Sequence, residues 1–379
     1  MRILGVDPEL GFAGGETQVL GLTMGLLRAR HRAELACDPR GQLFERARRE
    51  GIECHPLAIR NSIDFAAGLR LRTLLSRTHY DVVHFHTSRA HSMAPFARGH
   101  ARALIVTRRM DYRPNRLFAP YLYNRAVDAV AAISSKVAES LGEAGVAHDR
   151  VRIIPSGVDC EHFRPPSSIE RESARARLSI GPADFVVGTV GMLEERKGHR
   201  YLLEAVAMLN RTRATSSRIK CVIAGDGAMR ADLIKLAADL GIADDTIFLS
   251  LIPDARALLD ALDVFVFPSL REGLGVALLE AMGCGIPSVA SRAGGIVDII
   301  EDTRSGMLVE PRDSASLADA IATLAADGSR RASIGMAARA RIEEHFSLAT
   351  MTRMTIDMYR DCLLKRPRSH APAESMFRR

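Results

Sequence analysis

Short apolar runs alternate with longer amphipathic stretches along this chain, and the whole alternation occurs twice. In the first half the runs are Arg2–Val6, Ala33–Cys37, Asp81–Phe85, Ala103–Thr107, Ala129–Ile133 and Val151–Ile154, with helical patterns such as Glu16–Arg30, Phe65–Arg77 and Ser135–Ala144 between them. In the second half they are Phe185–Val190, Lys220–Ala224, Thr246–Leu249, Val264–Phe267, Pro287–Ala290 and Met307–Val309, separated by helical patterns at Arg200–Asn210, Met229–Leu240, Val276–Met282 and Ser314–Ala325. Strands spaced by helices of about 10–15 residues build βαβ units and parallel sheets. The expected fold is therefore α/β: two facing, doubly wound Rossmann-like domains with an inter-domain cleft. A length of 379 residues suits two domains. The stretch Pro155–Pro182, with Pro165-Pro166-Ser167-Ser168 at its centre, reads as a linker. The expected layout is a first domain over 1–160, a linker over 161–182 and a second domain over 183–346. A last helix follows within 347–364, then a basic tail over 365–379.

Composition excludes several classes. With 47% apolar and 26% charged residues the chain is not disordered. No apolar run approaches the roughly 18 residues of a membrane span, and the apolar stretch of Met1 to Asp7 is too short for a signal peptide. It reads as a buried strand, and the expected location is the cytoplasm. The six cysteines are scattered without a C-x-x-C pair, which argues against zinc and against a disulfide framework. Residues 1–160 carry 23 basic and 16 acidic residues, whereas the rest carry 29 of each. A basic first half suits phosphates, a polyanion or an anionic membrane face; an arginine-rich solvated surface explains it equally. With no Trp and 5% aromatic residues the chain offers few stacking platforms, so nucleic acid is not an expected partner.

Ligands of open parallel sheets bind at the carboxyl ends of strands, where helix N-termini present free N–H groups. Four such loops stand out. The loop after the first strand ends in Gly14-Gly15-Glu16, where backbone can approach a phosphate or sugar closely; a tight turn explains the glycines as well. Its spacing does not fit G-x-G-x-x-G, although Asp38 after the second strand imitates a ribose-binding acid. His84-Phe85-His86 ends a strand and should project His86 into the cleft, unless His86 is a core or capping histidine. Arg196 and Lys197, within Gly191–His199, precede a helix and can grip two phosphates; alone they read as a solvated charge pair. The fourth loop, Phe267 to Gly283, is the most informative. Free amides of Gly273, Leu274, Gly275 and Val276 make an anion site, Glu272 suits uncharged hydroxyls, and Glu280 one turn on suits a ribose diol.

These residues resemble glycosyltransferase family 4, a family of two-domain GT-B proteins, over nearly the whole chain. The most specific part is Glu272…Glu280 within P-S-x-x-E-G-x-G-x-x-x-x-E-A-M. Gly14-Gly15-Glu16, Ile154-Pro155-Ser156-Gly157-Val158-Asp159, Arg196-Lys197-Gly198, Gly225-Asp226-Gly227 and Ala293-Gly294-Gly295 support it. The resemblance implies transfer of a sugar from a nucleotide-diphosphate donor with retention of configuration. It implies that Arg196 and Lys197 neutralise the diphosphate with amides near Gly15 and Gly273–Val276. Glu280 would hold the ribose, Glu272 the sugar hydroxyls, and His86 would sit near the reacting sugar. The base would meet backbone around Leu249–Ile252, a second-domain site, while the first domain takes the acceptor. Arg108, Arg109 and Arg113 are the expected acceptor-side cations, alongside His91. No cofactor or metal is expected, since fixed cations and amides stabilise the departing diphosphate and no D-x-D-like loop opens the site.

The last helix, over Phe346–Leu364, resembles one that crosses back to the first domain. Expected partners are the nucleotide-sugar, a glycan or lipid-linked acceptor of a surface polysaccharide or lipopolysaccharide, and the inner face of an anionic membrane through the basic domain. Many family members carry arginine where this chain has Met192, and Arg196 is expected to take over that contact. A nucleotide-sugar epimerase or hydrolase of the same fold is the alternative.

Overall fold

The computed structural model describes residues 1–212, 215, 218–252 and 254–365. It divides into two compact units, one formed by Met1–Pro155 with Ala349–Arg379 and the other by Ser156–Leu348.

The first unit holds β1 (Arg2–Asp7), β2 (Arg32–Cys37), β3 (Cys54–Pro56), β4 (Tyr80–Phe85), β5 (Ala101–Arg108), β6 (Ala129–Ala132) and β7 (Val151–Ile153). They form one parallel sheet in the order β3-β2-β1-β4-β5-β6-β7. Leu4, Val6, Val82, Val83 and Phe85 are fully buried, as strands covered on both faces require. The order reverses between β1 and β4, and the register pairs Gly5 with His84 and Val6 with Phe85. Strand β3 escapes the sequence pattern because its three residues, Cys54-His55-Pro56, form no apolar run.

The second unit holds β8 (Phe185–Val190), β9 (Ile219–Ala224), β10 (Thr246–Leu249), β11 (Val264–Phe267), β12 (Ser288–Ser291) and β13 (Met307–Val309), in the order β10-β9-β8-β11-β12-β13. All pairs are parallel, and the order reverses between β8 and β11. Its core gathers Val187, Leu202, Val206, Ile223, Val266 and Ile321.

Two expectations need correction. Residues 161–182 are not a linker: they belong to the second unit and contain the helix Ser168–Arg177. Ser167 caps that helix, accepting from the Glu170 amide at 3.3 Å while the Glu170 carboxylate accepts from the Ser167 amide at 2.8 Å. Arg171 then ties it to Asp263 at 2.7 Å. The proline-serine punctuation announced this helix start rather than a flexible connection. The boundaries also shift, because the units part at 155/156 and at 348/349 rather than at 160 and 346.

The helix Leu348–Lys365 clusters, from Ala349 on, with the first unit. Its Thr352 lies where a side chain on Gly25 would stand, and its Tyr359 phenol meets His84 Nδ1 at 2.6 Å. Of the expected tail 365–379, residues 366–379 lie outside the described residues. Among the described residues no helix is long and apolar enough to cross a membrane.

Candidate active site

In the second unit, three loops at the carboxyl ends of β8, β9 and β11 hold one another. Leu193 donates its amide to Asp226 O at 2.8 Å, and Leu270 donates to Arg196 O at 2.7 Å. Glycines make these approaches possible. Gly225 has φ +152°, and a Cβ there would stand 1.9 Å from Gly191 O; Gly198 has φ +67°, and its Cβ would stand 2.1 Å from Pro268 O. Gly294, at φ +54°, serves Glu272: a Cβ would meet Glu272 O at 2.0 Å, and the next amide, Gly295, donates to that oxygen at 3.0 Å. No L side chain fits at these positions. The glycines of the Gly225-Asp226-Gly227 and Ala293-Gly294-Gly295 patterns are thus packing devices that place chemistry on neighbouring loops.

Lys197 Nζ reaches Glu272 Oε2 at 2.5 Å, and both side chains are only 13% exposed. The same ammonium lies 5.1 Å from the Phe267 ring centroid. Arg196 is drawn elsewhere, donating Nε to Glu194 at 2.7 Å on the half-exposed surface. The expected pair thus has two different partners, and Met192 is exposed on the same loop. Beside Glu272 the helix Val276–Gly283 begins at Gly275, which has φ +112° and no side chain to cap it. Among the described residues no protein acceptor meets the amides of Gly273 to Ala277. These amides and the helix dipole make an open anion site next to a largely shielded ammonium. Glu280 is half-buried one turn along, with no hydrogen-bond partner for its carboxyl among the described residues. Burial, and then the Asp254 carboxylate, push it up to about 8. At Leu249–Ile252 the Leu249 carbonyl is already occupied, accepting from the Gly225 amide and from Arg230.

In the first unit the site residues share one face at the ends of β1, β4 and β5. Asp7 follows Val6, and the His86 amide donates to Val6 O at 3.1 Å, so Asp7 and His86 stand on adjacent strand ends. Gly5 leaves room for the His86 ring, whose Nε2 lies 3.5 Å from where a Cβ would be. His86 packs against His84 with centroids 4.1 Å apart and the planes tilted by 35°, and its Nδ1 is buried without a partner. His84 is held at both nitrogens, by Tyr359 Oη at 2.6 Å and Thr107 Oγ1 at 2.7 Å. His91 reaches Thr107 O at 3.0 Å. Burial keeps all three rings neutral: His84 and His91 fall to about 3 and His86 far below its ordinary value.

The three expected acceptor-side arginines separate. Arg113 is exposed and pairs with Glu143. Arg108 turns to Tyr112, donating to its carbonyl at 2.7 Å. Arg109 alone joins the cluster, its Nε buried without a partner and its charge facing Asp7 and Glu16. Gly14 and Gly15 open the helix Gly14–Arg28, and no protein acceptor meets their amides among the described residues. A Cβ on Gly15 would meet only Arg109 Cδ, at 3.8 Å, so the protein itself does not require glycine there.

Sequence reasoning overlooked Asp7. Burial, reinforced by Glu16, pushes it up to about 7 against the pull of the Glu9 amide and Arg109. An acid ending the apolar run Ile3-Leu4-Gly5-Val6 was the available signal. It also overlooked Tyr359, which nothing in its own helix marks. The one grouping of potential metal ligands among the described residues, Glu34, Glu53 and His55, lies elsewhere, and its Glu34 is engaged by Arg2, Arg32 and Tyr80.

Residues 170–341 match the family model of glycosyl transferases group 1, and residues 12–162 match that of glycosyltransferase family 4. The D-inositol 3-phosphate glycosyltransferase of Pseudarthrobacter chlorophenolicus is 35% identical over 228 residues, 58% of this chain and 53% of that protein. The alpha-maltose-1-phosphate synthase of Mycolicibacterium smegmatis is 34% identical over 248 residues, 62% of this chain and 63% of its own. The chain spans about half the length of most of the curated relatives it matches. Among solved structures, Anabaena HepE in complex with UDP superposes with TM-score 0.84 at 22% identity, covering 95% of this chain and all of that one. The lipopolysaccharide glycosyltransferase WaaG gives 0.67 at 16% identity, covering 94% and 99%. These likenesses show the GT-B fold. The two family models together cover most of the chain, one match falling largely in each unit, and the chain belongs to the group 1, family 4 glycosyltransferases.

Proposed function

We propose that this protein moves a sugar from a nucleotide-diphosphate donor, held by the second unit, to a hydroxyl of an acceptor held by the first, with retention of configuration and without a metal ion. The observation that carries the reading is the largely shielded Lys197–Glu272 pair beside the open amides of Gly273 to Ala277. As the glycosidic bond lengthens, the diphosphate gathers negative charge. Lys197 and the amides are held in place by the fold, so they stabilise that charge most in the transition state. Lys197 exchanges Glu272 for the diphosphate, which leaves the Glu272 carboxylate to accept from sugar hydroxyls. Glu280 accepts from the ribose. The leaving phosphate oxygen takes the acceptor proton while the new C–O bond forms on the same face. Neutral His86, with Nδ1 unpartnered, hydrogen-bonds a hydroxyl at the reacting centre.

The acceptor carries a phosphate, whether as a small sugar or polyol phosphate or as a lipid-linked glycan. Two observations support this: Arg109, its Nε buried without a partner, lies near uncapped amides, and relatives are named for inositol phosphate and maltose phosphate. Surface-glycan synthesis in the cytoplasm is the setting this chemistry suits.

Thermal shift against UDP-, GDP- and ADP-sugars without metal tests the donor, UDP first because a structural neighbour was solved with it. A shift with one base, absent in Lys197→Ala, is expected. Transfer to a phosphorylated acceptor should fall by roughly 10²–10³ in Lys197→Ala and in Glu272→Ala. A Glu272→Ala enzyme with normal turnover of its donor would remove Glu272 from the site, and no shift with any donor sinks the whole reading.

A further inference from the structure

Six large apolar side chains of the first unit stand in water on one side of its sheet. Ile63 is 78% exposed and Phe65 70%, with Leu69 beside them; Leu117 is 84% exposed and Phe118 70%, followed by Tyr121. The first three lie in the β3-to-β4 connection, Ile63 just before the helix Phe65–Arg77 and Phe65 and Leu69 within its first two turns, and the others in the connection from β5 to β6. Both connections run in the same direction across the strand order, so right-handed crossovers put them on the same face. The short helix Ala94–Ala97, from the connection between β4 and β5, joins them. It packs on one side against Phe65–Arg77, where Phe96 meets Phe65 edge-on at 5.8 Å and lies over Gly68. On the other side it packs against the turn Leu122–Ala126, and Arg98 just beyond it donates to Arg125 O at 2.7 Å. The six side chains therefore belong to one strip.

The charge around the strip is mainly positive, although Arg113 is paired with Glu143. Residues 60–77, 94–98 and 110–125 contain eight arginines and two aspartates, and all eight arginines are exposed. One of the aspartates, Asp64, is engaged as the helix cap, accepting from the Ala67 amide. A second copy of this chain would bring the same arginines and be repelled. A nucleic acid would stack on rings, yet Ile63, Leu69 and Leu117 offer none. Apolar side chains and rings flanked by arginine suit the boundary between lipid phosphates and acyl chains.

We propose that this strip docks the first unit on an anionic lipid surface, with Ile63, Phe65, Leu117 and Phe118 entering the acyl boundary and the arginines meeting the lipid phosphates. The docking requires nothing of the donor site, so it stands or falls apart from the catalytic reading.

Co-sedimentation of the full chain with vesicles tests it, comparing phosphatidylcholine alone with phosphatidylcholine containing about 30% phosphatidylglycerol. Binding at least about tenfold stronger to the anionic vesicles is expected, weakening as salt rises. The variant Phe65→Ser/Leu117→Ser/Phe118→Ser, with its basic tail intact, should lose that binding by about tenfold while melting within ~2 °C of the parent, since the three side chains are exposed. Equal binding to both vesicle types overturns the proposal. So does undiminished binding of the variant, which would assign the contact to the tail. So does self-association of the parent that the variant abolishes, which would make a second copy the occupant.

Discussion

Glu280 carries a proton that its ordinary chemistry would have shed. Burial and the neighbouring Asp254 raise it to about 8, so near pH 7 the carboxyl is neutral. A ribose diol donating to it favours the anion, and binding then expels the proton. By linkage donor affinity strengthens as pH rises from about 6 towards 8, by up to tenfold per pH unit. Calorimetric titration at several pH values checks this, and Glu280→Gln should flatten the slope. The same residue sets a stability trend of defined sign. Its folded value lies above the unfolded one, so its contribution is fully present below about pH 4.5 and lost as pH rises through about 8. Glu280→Gln should therefore gain roughly 5 kcal/mol over the parent at pH 9, by denaturant titration, and nothing at pH 4. Tyr359 acts through another residue. Of the two hydroxyls on His84 the phenol is the stronger donor, which assigns its proton to Nδ1 and leaves Nε2–H for Thr107. Tyr359→Phe leaves Nδ1 buried and unpaired, costing about 1–3 kcal/mol of stability. Because His86 packs against His84, kcat should fall while donor KM holds. A kcat unchanged at full saturation would confine Tyr359 to a structural role.

At the scale of elements, the geometry of the candidate site depends on glycines that lie outside the loops carrying Lys197 and Glu272. Gly294 belongs to the β12 turn, yet its missing side chain is what lets Glu272 sit where it does. Gly294→Ala should reduce transfer at least as much as it reduces stability, because both the αL backbone and the 2.0 Å approach are violated. Turnover and melting temperature, measured on one preparation, separate the two losses. Such spacing explains what the sequence made legible. Among the described residues, twelve of the thirteen strands announced themselves as short apolar runs, and nine of these are largely buried between helices, where a strand must be apolar on both faces. The edge strands β7, β10 and β13 are more exposed yet keep apolar residues, whereas β3, an edge built of Cys54-His55-Pro56, has no such run. The helix Ser168–Arg177 was hidden because its cap, Ser167, sits in a proline-rich setting that also describes a loop. Lys197, Glu272, Glu280 and the Gly275 helix start were legible through spacing along one loop or helix. Asp7, Tyr359 and the isolation of Arg109 from Arg113 were not, because they depend on which strand ends become neighbours. No local pattern encodes that adjacency.

Over the whole molecule, charge and chain path divide along the same line. The first unit carries 30 basic and 18 acidic residues, and the second 22 and 27, a sharper contrast than the halves of the sequence suggest. The second unit is one continuous stretch, Ser156–Leu348, whose ends are tied to each other. Val158 donates to Phe346 O at 2.8 Å and Leu348 donates to Val158 O at 2.9 Å, an approach that leaves no room for a side chain on Gly157. The first unit is discontinuous and needs the helix Leu348–Lys365, whose Met351, Ile356, Met358 and Tyr359 are buried. A fragment of residues 156–348 has its own core, its own closed ends and Lys197, Glu272 and Glu280, so it should fold alone and bind a donor nucleotide. A fragment of residues 1–155 exposes the surface that this helix covers and strands His84 Nδ1 without its phenol. It should lack a cooperative melt until a separate peptide of residues 349–365 restores one. Calorimetry of the two fragments decides the matter. A cooperative 1–155 fragment would show that the returning helix is dispensable to the fold, and a 156–348 fragment that melts cooperatively yet ignores every donor would move nucleotide binding out of the second unit.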